Sequence, residues 1–230
     1  MIRIKSFDSF NSEIINTSSS ALFLRNFILN CQFPVMIRKL SILLTALAII
    51  SCKKESSTPP LKNPGFKEFI IPKGEHYANG SEYRELHINA ISFTAIFDSS
   101  CIYSTSKVSN SGDVNKLYGF SDGNTPHHEN SARFGWLWNG QALEVYAYCY
   151  SNSKREIKLL GTVPIGKEID MSINIHPSEY VFFLNGKSEI MQRNITSDVA
   201  NGYQLYPYFG GDEVAPHEIK ILIRDNKPTR

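Results

Sequence analysis

The chain is poor in the residues and motifs that usually announce an activity. It has four Cys and two Trp in 230 residues, and no further ligands stand at the spacing a zinc site requires. It contains no His-Glu-x-x-His, no Gly-x-Ser-x-Gly, no phosphate loop and no dinucleotide fingerprint, so the common chemistries those motifs carry are not indicated. It has no strong excess of basic charge. The formal net charge is +2, and five of the 24 basic residues but only two of the 22 acidic ones fall in residues 1–51. The rest is near neutral and carries no nucleic-acid footprint. No apolar run reaches the roughly 20 residues that a membrane-crossing helix needs. Beyond the leader no segment shows convincing helical periodicity, and nothing has the composition of a collagen, a coiled coil or a long disordered tract.

What is present begins with an ordered leader. Arg38 and Lys39 follow Met36, and residues 40–50 form an apolar stretch of the length expected for a signal peptide core. It ends in Ile49-Ile50-Ser51-Cys52. This box resembles that of bacterial lipoproteins: a branched apolar residue, a small residue, then the cysteine. The resemblance implies acylation of Cys52 and cleavage before it, and several acyl chains anchor firmly because each buried CH₂ contributes about 0.8 kcal/mol. The expected organisation is a non-native upstream extension over 1–35, a signal peptide over 36–51, a tether over 52–64 and a folded domain over 65–230. The tether is rich in Lys, Ser and Pro, a solvated composition. The chain is thus expected to be exported and held at the bacterial envelope, at the outer membrane, on either its periplasmic or its cell-surface face.

The folded part reads as β throughout. Leu143, Val145, Ala147 and Cys149 alternate with Glu144, Tyr146, Tyr148 and Tyr150; similar alternation runs through "EIDMSINIH" and "EIKILIRD". Period two is the mark of half-buried strands. Asn-Gly pairs at 139–140 and 185–186 predict hairpins, and those at 79–80 and 201–202 predict further turns. In "ELHINAISFTAIFD" the phase slips near Ala90, which predicts a bulge or a strand buried on both faces. The prediction is an all-β antiparallel sandwich. From Arg133 onward the order of hairpin, paired strands and Gly-Gly loop resembles the concanavalin A-like jelly roll of lectins, glucanases and lyases.

Candidate chemistry is spread over several segments. "NTPHHENSARFGW" supplies His127, His128, Glu129 and Arg133 for acid/base or anion-binding roles, with Asp122 just before it as a candidate calcium ligand; the alternative is a wet surface loop. Tyr146, Tyr148 and Tyr150 share one strand face, and Trp136 and Trp138 share another. On a concave sheet such rings would stack on sugars; otherwise they pack across strands. Asp212 and His217 lie in a Gly-Gly loop segment and are candidate ligand-binding groups or ordinary loop charges. Cys101 and Cys149 are either a disulfide or two buried thiols. The resemblance to glucanases implies a Glu-x-Asp-x-Glu strand, but here the third position of Glu168-Ile-Asp170-Met-Ser172 is Ser, which removes a carboxylate from that mechanism. The resemblance to alginate lyases implies an Arg-rich strand and a Gln-Ile-His strand, neither of which is present.

Three functions are consistent with these features: a lipid-anchored module binding a glycan, a lyase or glycoside hydrolase with an atypical site, and an assembly lipoprotein with a protein partner. No cofactor is expected apart from a structural calcium, and no nucleic-acid partner.

Overall fold

A computed structural model describes residues 65–226. The leader, Cys52 and the tether fall outside the described residues. Twelve strands make up the fold: β1 (Lys67–Ile71), β2 (Glu85–Ile88), β3 (Ala90–Phe97), β4 (Asn115–Ser121), β5 (Ser131–Trp138), β6 (Leu143–Ser151), β7 (Lys154–Val163), β8 (Glu168–His176), β9 (Glu179–Leu184), β10 (Lys187–Gln192), β11 (Ala200–Leu205) and β12 (Ile219–Asp225). Among the described residues the only helical pieces are two single 3₁₀ turns, at Ser99–Cys101 and Val108–Asn110.

The strands form two six-stranded antiparallel sheets, ordered β1-β12-β3-β8-β9-β10 and β2-β11-β4-β5-β6-β7. The chain passes back and forth between them, and the result is the jelly-roll sandwich expected from the sequence. The alternating runs become β6, β8 and β12; β8 and β12 bury every second side chain, and β6 does so with Tyr148 buried as well. The two hairpins also form. Asn185 and Gly186, at φ 51° and 78°, are a two-residue turn of the type whose twist matches paired strands. The Asn139 side chain accepts from the backbone N–H groups of Gln141 and Ala142 and closes the β5–β6 loop.

One local expectation is resolved and one is corrected. Of the two readings of the phase slip near Ala90, a bulge or a strand buried on both faces, the second holds for the end of β3, and the slip itself marks a change of sheet. β2 belongs to one sheet and β3 to the other, so the chain changes sheet at Asn89 and the inward face is reset. The second half of β3, from Phe93 to Phe97, is buried at every residue. The Asn201-Gly202 pair is not a turn; it lies inside β11. Glycine is needed there because a Cβ would stand 2.3 Å from the Ser121 carbonyl oxygen of the neighbouring strand.

The core lies between the sheets. Phe134 of β5 meets Phe93 of β3 and Phe182 of β9 edge to face, at 5.6 and 5.1 Å, so one ring ties the two sheets together. Such pairs contribute about 0.5–1.5 kcal/mol beyond area burial. Cys101 and Cys149 are both free and buried. Burial pushes both thiols above their usual range, which suits inert core residues.

Candidate functional site

The sheet β2-β11-β4-β5-β6-β7 has one face on the core and one that floors a groove. Register decides which side chain goes where. Ala132, Phe134, Trp136 and Trp138 pair with Cys149, Ala147, Val145 and Leu143 on the core side. The residues between them, Ser131, Arg133 and Gly135, pair with Tyr150, Tyr148 and Tyr146 on the opposite face. Gly119 of β4 sits opposite Arg133, and Arg155 of β7 opposite Tyr150. Strand pairing therefore gathers Arg133, Tyr148, Tyr150 and Arg155 on one surface.

The groove holds about 540 Å³. Three cations line it, Lys116, Arg133 and Arg155, and no Asp or Glu does. Arg133 is only 6% exposed. Its guanidinium lies 5.2 Å from the centre of the Tyr148 ring. It makes no ion pair among the described residues, and its Nε has no hydrogen-bond partner. Burial lowers its pKa from the usual value, partly offset by Tyr148 and Tyr150. Lys116 donates to the Gly210 carbonyl at 2.7 Å and sits 5.5 Å from the rings of both Tyr148 and Tyr208. Burial, then Arg133, bring its pKa down to about 8, while Asp113, outside the lining, opposes the shift.

The wall is the loop between β4 and β5. Asp122 N–H donates to the Asn130 carbonyl, and the Ser131 hydroxyl donates to that of His127. These bonds hold His127 and His128 over the floor, with ring centres 4.1 Å apart. The Tyr203 hydroxyl accepts from the His127 backbone N–H at 3.2 Å and stands 3.1 Å from its Nδ1. Burial, with Arg133 and His128 nearby, lowers His127 to about 4, so its ring is neutral at physiological pH. A further cavity of about 400 Å³ adjoins the groove at Tyr203.

Of the sequence candidates, His127, His128, Arg133, Tyr148 and Tyr150 converge on the groove, and Glu129 is not among its lining. Trp136 and Trp138 do not. Trp136 is fully buried in the core, and Trp138 packs against it, because both share the parity of Phe134 and not of Arg133. Tyr146 has the right parity but lies past the end of the groove, hydrogen-bonded to Glu144. Asp212 forms an exposed pair with Lys107. His217 bonds the Ser100 carbonyl at 2.8 Å, away from the groove lining. The candidate calcium ligand Asp122 has both oxygens engaged: one takes the Gly123 N–H, the other takes Tyr180 and Arg193. Sequence reasoning passed over Lys116, Arg155, Tyr203 and Tyr208. Arg155 was within reach, because a tight turn after β6 places it opposite Tyr150.

No family model matches the chain, and no curated relative matches it. Solved structures similar to it include an alginate lyase from Alteromonas sp.272, 10% identical, covering 73% of this chain and 88% of that one at a TM-score of 0.44. The β-glucanase of Bacillus licheniformis is 13% identical, covering 71% and 79% at 0.44. The laminarinase catalytic domain of Thermotoga maritima is 13% identical, covering 72% and 79% at 0.43. Likeness at this level transfers no residue roles, and the fold assignment stands on the strand pairings themselves.

Proposed function

We propose that the protein binds an acidic glycan in this groove, as a lipid-anchored module of the bacterial outer membrane. One observation carries the reading: a buried, unpaired arginine on the floor of a tyrosine-lined groove. A buried guanidinium wants a planar anion that accepts two hydrogen bonds. The flanking tyrosines offer apolar faces for sugar rings and hydroxyls for their polar edges. The membrane part of the proposal is supported by the box at Cys52. Titration of the protein with oligouronates and with neutral glucans tests the binding part. The acidic ligands should bind, more weakly as salt rises, and the neutral ones should not. Equal binding of both, or of neither, overturns it.

A second reading, a polysaccharide lyase, is favoured by the neutral His127 imidazole and the low Lys116 pKa beside Arg133. A base there would take the proton α to the anchored carboxylate, the electron pair would form the C=C bond, and the oxygen on the β carbon would leave with a proton from a groove tyrosine. An absorbance assay for the unsaturated product decides between them: product makes the protein an enzyme, and stable binding without product makes it a receptor. The glycoside hydrolase alternative finds no support in the groove, since that chemistry uses a carboxylate pair and no carboxylate lines it.

A further inference from the structure

The cavity beyond Tyr203 has the opposite chemistry to the groove it adjoins. It is lined by Tyr83, Glu85, Asn124, Thr125, Pro126, Gly202 and Tyr203, with one carboxylate and no cation. Glu85 of β2 is in register with Tyr203 of β11, so both side chains stand on the groove face. Three strand spacings separate β2 from β5, roughly 14 Å at about 4.8 Å each. The groove therefore runs across the strands from a cationic end to an end edged by a single carboxylate.

Both ends share built walls. The loop that holds His127 against the first cavity presents Thr125 and Pro126 to the second. The Thr125 hydroxyl donates to the Asp122 carbonyl at 2.9 Å, and the Asn124 N–H donates to the Asn201 carbonyl at 2.8 Å. Tyr203 is held between the cavities by its bonds to His127. Tyr83 is 81% exposed, yet its ring lies 6.1 Å from that of Tyr203, inclined by 31°. Two neighbouring rings, one fixed and one open to solvent, form a platform on which a sugar ring can stack.

We infer that the cavity beyond Tyr203 is a second sugar site for an uncharged unit, and that the ligand is a heteroglycan in which an acidic sugar adjoins neutral ones. The inference rests on the acidic-glycan reading of the first site. A homopolymer of uronates would satisfy Arg133 but would carry a further carboxylate against Glu85, where no cation offsets the repulsion. A mixed chain meets both ends: its anion completes the hydrogen bonding of Arg133, and its neutral ring lies on Tyr83 and Tyr203.

The test is binding of the full-length protein to hexasaccharides that are wholly uronate, alternating uronate and neutral, or wholly neutral, with an acidic disaccharide as a short probe. The alternating hexasaccharide should bind tightest. Tyr83→Ala should weaken it by up to about tenfold, the scale of one aromatic stack, and leave the disaccharide unchanged. Glu85→Gln should strengthen the all-uronate ligand about two- to fivefold, as expected for an exposed charge. If the all-uronate ligand binds as well as the alternating one and neither variant matters, the second site is wrong and the acidic reading of the first site stands. If no acidic ligand binds at all, or if only the neutral one does, both fall.

Discussion

Arg193 and Arg133 are both almost wholly inside the protein, 2% and 6% exposed, and their surroundings differ in nearly every other respect. Arg193 donates through Nε to Asp122 at 2.7 Å, through Nη1 to the carbonyls of His176 and Ser197, and through Nη2 to that of Val199. Its guanidinium lies 5.5 Å from the centre of the Tyr180 ring, and Tyr180 donates to the same carboxylate at 2.7 Å. Charge and hydrogen bonds are satisfied from within the chain. Arg133 has an aromatic ring, an orphaned Nε and a second cation, Lys116, for company. Leaving a charge buried and unpaired costs several kcal/mol. On the function proposed above, Arg193 is a structural pin and Arg133, with its unpartnered Nε, is a group that a bound ligand would complete.

The largest effect is expected at the pin. Arg193→Met leaves the Asp122 carboxylate, which is 1% exposed, without its partner, and should cost about 3–5 kcal/mol in denaturant unfolding. A loss below about 1 kcal/mol would mean that the pair is not what holds the β8–β11 end together.

Next is Lys116. Its folded pKa of about 8 lies below its ordinary 10.5, so the unfolded chain binds more protons between those values and the ligand-free protein should gain stability as pH rises from about 8 to 10.5. The affinity for an acidic glycan should move the other way, weakening as pH passes about 8 and Lys116 loses its charge while Arg133 keeps its own. Lys116→Met should remove both pH dependences. Smaller, because solvent screens a less buried group more, is the effect at His127, whose folded pKa of about 4 lies below 6.5. Stability should fall as pH drops from about 6.5 to 4, because only the unfolded chain takes up the proton there. His127→Gln should flatten that limb in thermal unfolding curves.

How much of this was visible in the sequence depends on how local each feature is. β6, β8 and β12 announce themselves because one face is wet and the other is core, and the two Asn-Gly hairpins because their backbone needs φ above zero. The sheet change at Asn89 looks the same as a bulge, since both reset the alternation by one residue. His127, His128, Arg133 and Tyr148 were found because they lie on one loop and the hairpin that follows it. Lys116, Tyr203 and Tyr208 arrive by pairings between distant strands and from an irregular segment without periodicity. For the tryptophans the sequence left two alternatives, stacking on sugars or packing across strands, and parity favours the second: Arg133 and Trp136 are three apart in a strand and face opposite ways.

Unfolding of Arg133→Met, with and without an acidic oligosaccharide, distinguishes a ligand-binding Arg133 from a structural one. If Arg133 awaits a ligand, the variant alone should be more stable than the native protein by about 1–4 kcal/mol, and the oligosaccharide should stabilise the native protein and not the variant. If the variant is instead destabilised, and the oligosaccharide shifts both proteins equally, Arg133 is a structural residue and the groove is not its binding site.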